Sequence, residues 1–201
     1  MIAIIDYGAG NIFSIMNALN YIGAEYVLTN SADVISDAHR LILPGVGAFP
    51  EAMEKLRKSG LTDIIKSNAK VKPLLGICLG MQMLFDCSYE FEKTSGLGLI
   101  PGEVIPLREM WSDSASKLDV PHMGWNKLEV INDCPLNIGE EYVYFVHSYA
   151  ARCEDGYICA YCDYGGKVPA LVYKDGVYGA QFHPEKSGEK GLEILRKFSN
   201  L

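Results

Sequence analysis

The sequence predicts an α/β fold: an open, mostly parallel sheet flanked by helices, with an additional antiparallel or mixed strand region in the C-terminal half. Three observations carry that prediction. Apolar runs at residues 2–5, 41–43 and 74–77 have the composition of strands buried on both faces. Segments with apolar residues at helical spacing separate them, which is the rhythm of βαβ crossovers. After residue 87 the runs shorten and turn signals multiply, as antiparallel pairs joined by tight turns require.

Ile2-Ala3-Ile4-Ile5 is the first strand, and it runs into the turn Asp6-Tyr7-Gly8-Ala9-Gly10-Asn11. Asn11 is a fair N-cap for a helix in which Ile12, Ile15, Met16, Leu19 and Ile22 share one side, ended by Gly23. The turn differs from a dinucleotide-binding loop, because it lacks a third glycine and Asp6 would repel an anion. Residues 26–28 form a second strand, 31–39 a short helix capped by Ser31, and 41–43 a third strand that ends in Pro44-Gly45-Val46-Gly47-Ala48-Phe49. Pro50 suits the first turn of a helix carrying Met53 and Leu56, and another helix spans residues 61–68. The strand 71–77 then enters Gly76-Ile77-Cys78-Leu79-Gly80, followed by Met81-Gln82-Met83-Leu84-Phe85, which is good helix material. Sites in such sheets gather at the carboxyl ends of the strands. The glycine-bearing loops 7–11, 44–47 and 76–80 are therefore expected on one rim.

In the second half, residues 96–102 are turn-rich and 110–119 are polar, read as a mobile surface loop. Short strands follow near 127–130, 142–146, 157–161, 170–173 and 177–182. Asp175-Gly176 signals a hairpin between the last two. A final helix over 188–198 carries Leu192, Ile194, Leu195 and Phe198 on a broadly apolar side. No linker divides the 201 residues, so one domain over 1–201 is expected.

Composition narrows the function. A net charge of −7 argues against nucleic-acid or acidic-membrane binding, which needs a basic face. The N-terminus shows neither a basic leader nor a long apolar span, so a cytoplasmic location is expected. The six cysteines are then free thiols. Cys159 and Cys162 spell C-x-x-C with Cys153 nearby. On a regular strand, positions three apart point to opposite faces and cannot share a metal. No metal or cofactor is expected.

The chemistry centres on Cys78. Strand, tight glycine turn and helix are the pattern of a nucleophile elbow with cysteine in the nucleophile's place. Its position at a helix start would favour the thiolate. On spacing alone, the same residues also describe a buried cysteine beside helix-packing glycines. A cysteine nucleophile needs a base, and the base an orienting partner. Of His39, His122, His147 and His183, the last ends a strand and is followed by Pro184-Glu185-Lys186-Ser187. If extended geometry persists through Pro184, His183 and Glu185 point the same way, and Glu185 can fix the imidazole tautomer.

Gly76-Ile77-Cys78-Leu79-Gly80-Met81-Gln82 together with His183-Pro184-Glu185-Lys186-Ser187 resembles the class I (triad) glutamine amidotransferases, whose fold is flavodoxin-like. The segments 6–11, 44–49, Pro121-His122-Met123-Gly124-Trp125-Asn126 and Tyr144-Phe145-Val146-His147-Ser148-Tyr149 narrow the resemblance to the glutaminase subunits of imidazole glycerol phosphate synthase. The matches span the chain in the family's order. The resemblance implies Cys78 as nucleophile, His183 as general acid/base and Glu185 as orienting carboxylate. It implies hydrolysis of L-glutamine to glutamate and ammonia through a thioester. The N–H of Leu79 and one from the 45–47 turn, at Val46 or Gly47, are the expected oxyanion donors. Gly47, Gln82, His147, Ser148 and Tyr149 are expected to hold glutamine, although His147 and Tyr149 also suit aromatic packing at a strand end.

The implied partner is a separate (β/α)8-barrel cyclase subunit, making a heterodimer. It would use the ammonia to convert PRFAR to imidazole glycerol phosphate and AICAR in histidine biosynthesis. Asn11, Trp125, Tyr144 and Lys186 are candidates for the contact rim; each also suits an ordinary surface position. Other readings are a glutaminase serving a different synthase of the class and a catalytically silent regulatory paralogue. The intact Cys78, His183 and Glu185 argue against the latter.

Overall fold

The computed structural model describes residues 1–111 and 118–201. The first strands are β1 (Ile2–Ile5), β2 (Tyr26–Thr29), β3 (Arg40–Leu43) and β4 (Leu74–Ile77), separated by helices α1 (Ile12–Tyr21), α2 (Ala32–Asp37), α3 (Phe49–Lys58) and α4 (Thr62–Asn68). After β4 come α5 (Leu79–Gln82) and the short strands β5 (Cys87–Ser88), β6 (Thr94–Ser95) and β7 (Glu103–Pro106). The second half supplies β8 (His122–Val130), β9 (Tyr142–His147), β10 (Tyr149–Arg152), β11 (Ile158–Asp163), β12 (Lys167–Lys174), β13 (Val177–Ala180) and α6 (Gly188–Ser199).

The main sheet has the order β2-β1-β3-β4-β13-β12-β11-β8-β9, and a second sheet has the order β10-β7-β5-β6. From β2 to β13 all neighbours are parallel; from β13 to β9 they are antiparallel. The expected parallel sheet with an antiparallel extension is therefore what the chain forms. Alternation along the strands explains the layering. Ile2, Ile4, Ile42 and Leu75 face one core with Ile15 and Leu19 of α1 and Ile194, Leu195 and Phe198 of α6. Ala3, Ile5, Leu41, Leu43 and Leu74 face the other with Phe49, Met53 and Leu56 of α3 and Ile65 of α4. The Asp175-Gly176 turn joins β12 to β13, with φ of 47° and 83° at its two residues, the two positive values a type I′ hairpin demands.

Several local expectations change. The helix after the elbow is a single turn, α5, and does not reach Phe85. Beyond Met83 the turn tightens, with the N–H groups of Leu84 and Phe85 donating to the Met81 and Gln82 carbonyls three residues back, and the N–H groups of Leu97, Gly98, Leu99 and Ile100 take the carbonyls of Met83, Phe85 and Leu84. Asn11 occupies the N-cap position of α1 but makes no side-chain cap bond. The C-x-x-C argument also fails. A register shift at residues 158–160 of β11 turns Cys159 and Cys162 into the same core, because a bulge resets the alternation. Among the described residues no three His, Cys, Asp or Glu side chains converge as a metal site. No helix among them is long and apolar enough to cross a membrane. Of the expected surface loop 110–119, residues 112–117 lie outside the described residues.

Candidate active site

β4 ends at Ile77, and the chain turns at Cys78 with φ 54° and ψ −114°. A side chain at such a φ is strained, by on the order of 1–3 kcal/mol. The surroundings hold it there. Its N–H donates to the Ala180 carbonyl on β13 at 2.7 Å, and its carbonyl accepts from Gln82 N–H at 3.1 Å. The neighbouring glycines allow the backbones to nest. A Cβ on Gly76 would lie 2.6 Å from the Gly80 oxygen, one on Gly45 2.4 Å from Gly80 N, and one on Gly80 2.0 Å from the Leu43 oxygen. Both sequence readings of this stretch thus hold at once: the glycines are there for close packing, and that packing enforces an elbow.

His183 follows β13 and lines the same pocket as Cys78. Its Nδ1 is 2.7 Å from Glu185 Oε1, and both side chains are almost wholly buried. The route differs from the expected one. Pro184–Lys186 form a 3₁₀ turn, so the backbone is not extended past His183. The turn lifts Glu185 back over the ring. Ser187 helps close it, its hydroxyl donating to the His183 carbonyl at 2.7 Å. Burial pulls the His183 pKa down, but the hydrogen bonds and charges of Cys78 and Glu185 outweigh it and raise the pKa to about 9. The ring is therefore an imidazolium at neutral pH, with Cys78 on one side and the Glu185 carboxylate on the other.

A pocket of about 330 Å³ opens over this trio. Val46, Gly47 and Leu79, the expected oxyanion donors, line it, and their N–H groups donate to no other group among the described residues. Gln82, His147, Ser148 and Tyr149 line it as well. The wall forms where the chain leaves one sheet for the other: β9 ends at His147, β10 begins at Tyr149, and the Ser148 carbonyl accepts from Leu107 N–H at 2.9 Å. Gln82 acts from behind. Its Nε2 donates to the Tyr149 carbonyl at 2.9 Å and to Gln181 Oε1 at 3.0 Å, so the side chain is a brace between the elbow helix and the wall.

Three further residues belong to this region: Glu90 and Gln181 were missed, and His122 was weighed only as a candidate base. Glu90 lines the pocket with a carboxylate whose Oε2 accepts from Phe49 N–H at 2.6 Å. Burial raises its pKa against the opposing effect of that bond. Nothing in Tyr89-Glu90-Phe91-Glu92 marks it, because it sits on a loop. Gln181 is fully buried, with Nε2 3.9 Å from Cys78 Sγ. An amide closing the apolar strand was its signal. His122 is buried against His147, and only a strand register would have revealed that contact.

The four rim candidates lie on segments that contact one another. Trp125 and Tyr144 are register partners on β8 and β9, their rings edge-to-face at 6.0 Å. The Tyr144 carbonyl accepts from His183 N–H at 2.9 Å, linking that pair to the turn that exposes Lys186. Asn11 begins α1, which lies against the same turn. Phe13 of α1 and Met123 of β8 are exposed apolar residues on these segments.

Comparison with known proteins agrees with this geometry. Residues 3–200 match the family described as glutamine amidotransferase class-I. The chain is 50% identical to imidazole glycerol phosphate synthase subunit HisH of Bacillus cereus strain B4264, covering all of this chain and 95% of that protein. It is also 50% identical to subunit HisH of Listeria monocytogenes serotype 4b strain CLIP80459, covering all of this chain and 96% of that protein. Among solved structures, a glutamine amidotransferase shares the fold with a TM-score of 0.76 at 19% identity over 99% of both chains. A chain of PurLQS from Thermotoga maritima does so with a TM-score of 0.71 at 21% identity, over 99% of this chain and 97% of that one. The chain belongs to the class-I glutamine amidotransferase family, among the relatives that include these HisH subunits.

Proposed function

We propose that this amidotransferase, as one domain over residues 1–201, is the glutaminase subunit of an imidazole glycerol phosphate synthase. The observation that carries the catalytic assignment is that Cys78 and His183 line one pocket while Glu185 holds the far nitrogen of the imidazole at 2.7 Å. Cys78 Sγ attacks the side-chain amide carbon of L-glutamine, and the carbonyl oxygen becomes an oxyanion. The N–H of Leu79 and one from Val46 or Gly47 receive that charge, each donor worth on the order of a hundredfold or more in rate. His183 gives its proton to the departing nitrogen, releasing ammonia and leaving a γ-glutamyl thioester. It then takes a proton from water as that water attacks the thioester, and glutamate leaves with Cys78 restored. Glu185 keeps the ring oriented and its charge balanced.

Substrate binding follows from the pocket lining. Glu90 is the one carboxylate in it and suits the α-ammonium of glutamine, while the backbone of Gly47 and of residues 147–149 suits its polar groups. Neither assignment requires a metal or cofactor.

Released ammonia is protonated in water and lost as a nucleophile, so the chemistry favours a partner that receives it directly. The 50% identity to HisH subunits supports a partner synthase subunit, and we assign it as a separate cyclase that acts on PRFAR. Asn11, Trp125, Tyr144 and Lys186, with exposed Phe13 and Met123, form the face offered to it. The test is to mix the chain with the cyclase and PRFAR and follow imidazole glycerol phosphate. Glutamine should support synthesis with the wild-type chain and fail with Cys78→Ala, while ammonium supports both. Glutamine-dependent synthesis by Cys78→Ala would overturn the assignment.

A further inference from the structure

The pairing of β8 with β9 sets His122 opposite His147. The two rings meet behind the pocket, with His122 Nδ1 3.0 Å from His147 Nε2. The outer nitrogens have partners that can only accept. His122 Nε2 is 2.8 Å from Asn126 Oδ1, and Asn126 is held in that orientation because its Nδ2 donates to the Asp163 carbonyl at 3.0 Å. His147 Nδ1 is 2.8 Å from the Tyr149 carbonyl. Both outer nitrogens must therefore carry hydrogen. A neutral imidazole has a single N–H, so two neutral rings would use both hydrogens outward. Their inner nitrogens would then face each other lone pair to lone pair. Three hydrogen bonds need three protons, and two neutral rings supply two.

A second observation concerns the faces of the His122 ring. It stacks on Phe145, with centroids 4.8 Å apart and planes at 19°, and on Tyr164, at 3.8 Å and 15°. Aromatic faces within about 6 Å attract a cation. Burial opposes charge here: it lowers the pKa of His122, and together with repulsion from His122 and from the His183 imidazolium it takes His147 down to about 3. Against these stand the bonds to Asn126 and to the Tyr149 carbonyl, each of which favours a charged ring.

We propose that His122 and His147 hold one proton between them as a single buried cation, and that this cation positions the 146–149 wall of the glutamine pocket. The link to the wall is direct. The Tyr149 carbonyl that accepts from His147 Nδ1 also accepts from Gln82 Nε2, so one oxygen ties the pair to the elbow helix. The positioning role rests on the glutaminase reading; the proton count does not. The pair takes up a proton as pH falls and releases it as pH rises. Above its midpoint the inner bond is lost and the wall loosens. The titratable groups around it are Tyr164 beside His122, and Cys78, His183 with Glu185, Glu90 and Tyr149 on the pocket side of His147.

The experiment is a pH titration of the full chain labelled with ¹⁵N-histidine, read in long-range imidazole spectra from pH 5 to 9. The outer nitrogens should stay protonated throughout, and the two inner nitrogens should move together with one midpoint. Inner nitrogens that stay unprotonated across the range, or that move with separate midpoints, overturn the shared proton. Positioning is tested in the complex with the cyclase and its ligand. The KM for glutamine should rise about tenfold as pH passes upward through that midpoint, the size of one lost charge-assisted hydrogen bond. In His122→Asn, whose amide can donate to His147 Nε2 without charge, that pH dependence of KM should disappear. If it persists in His122→Asn, the positioning role is wrong. If the inner nitrogens titrate together but wild-type complex shows no glutaminase activity, the glutaminase reading fails and the shared proton stands.

Discussion

Replacing Glu185 by Gln tests the proposed catalytic trio at its most buried point. The variant keeps the size of the side chain and an oxygen to accept from His183 Nδ1, and removes only the charge. In the native chain that carboxylate lies 2.7 Å from the ring and has no solvent exposure. Its attraction and that of Cys78 carry His183 from 6.5 to about 9 against the pull of burial. A single opposite charge at this range is worth about 1–3 pKa units, or about 1.4–4 kcal/mol. Glu185→Gln should therefore slow glutamine hydrolysis by about tenfold to a thousandfold at neutral pH. The sign of the pH effect follows from the raised pKa. The imidazolium is present below 6.5 in either case, and in the wild type it is lost as pH rises through about 9. The alkaline limb of glutaminase activity should thus lie near pH 9 in the wild type and move toward neutrality in the variant. Glutamate formation by the chain with the cyclase and its ligand is the assay, with ammonium-supported synthesis as the control for assembly. A variant within threefold of wild type, with its alkaline limb still near pH 9, would refute the role given to Glu185.

Gly80→Ala would bring a methyl to about 2.0 Å from the Leu43 carbonyl oxygen, a backbone atom that cannot swing aside. Overpacking of that kind costs about 3 kcal/mol, so a Tm lowered by about 10 °C is expected in a thermal melt; an unchanged Tm would contradict the nested elbow. Trp125→Ala should weaken cyclase binding by about thirtyfold, as for a central aromatic anchor, and calorimetric titration showing unchanged affinity would remove Trp125 from the rim. The isolated chain should turn over glutamine slowly and be accelerated by titrating in cyclase with its ligand. Full turnover in the absence of both would contradict a site completed by its partner.

The parallel half of the fold was legible because each of its strands is a buried apolar run bounded by a turn and a helix. β5 and β6 are two residues each, too short to show any period, and they form only because β7 and the 97–100 loop hold them. The helix predicted to reach Phe85 gives way to tighter turns at Leu84 and Phe85, whose neighbouring carbonyls the 97–100 loop takes, a contact from a distant segment. The opposed-face argument for Cys159 and Cys162 failed at a bulge, which leaves no mark in local composition.

The site divides in the same way. Cys78, His183 and Glu185 were legible because a tight turn and a two-residue separation constrain chemistry locally, although the 3₁₀ turn that joins His183 to Glu185 was not foreseen. Glu90, Gln181 and His122 enter through contacts between segments more than 20 residues apart: Phe49 for Glu90, Cys78 for Gln181 and His147 for His122. Such contacts are properties of the sheet order and register. His147 and Tyr149, readable as packing or as binding residues, turn out to do structural work with their polar atoms while lining the pocket.

The most direct test of the central claim is to catch the intermediate on Cys78. The chain, mixed with the cyclase and its ligand, is supplied with glutamine, quenched in acid during turnover, digested and analysed by mass. The account predicts a γ-glutamyl adduct on the peptide carrying Cys78, absent from the peptides of the other five cysteines and absent altogether when glutamine is replaced by ammonium. Glutamine turnover with no adduct at Cys78, or with the adduct on a different cysteine, would contradict it.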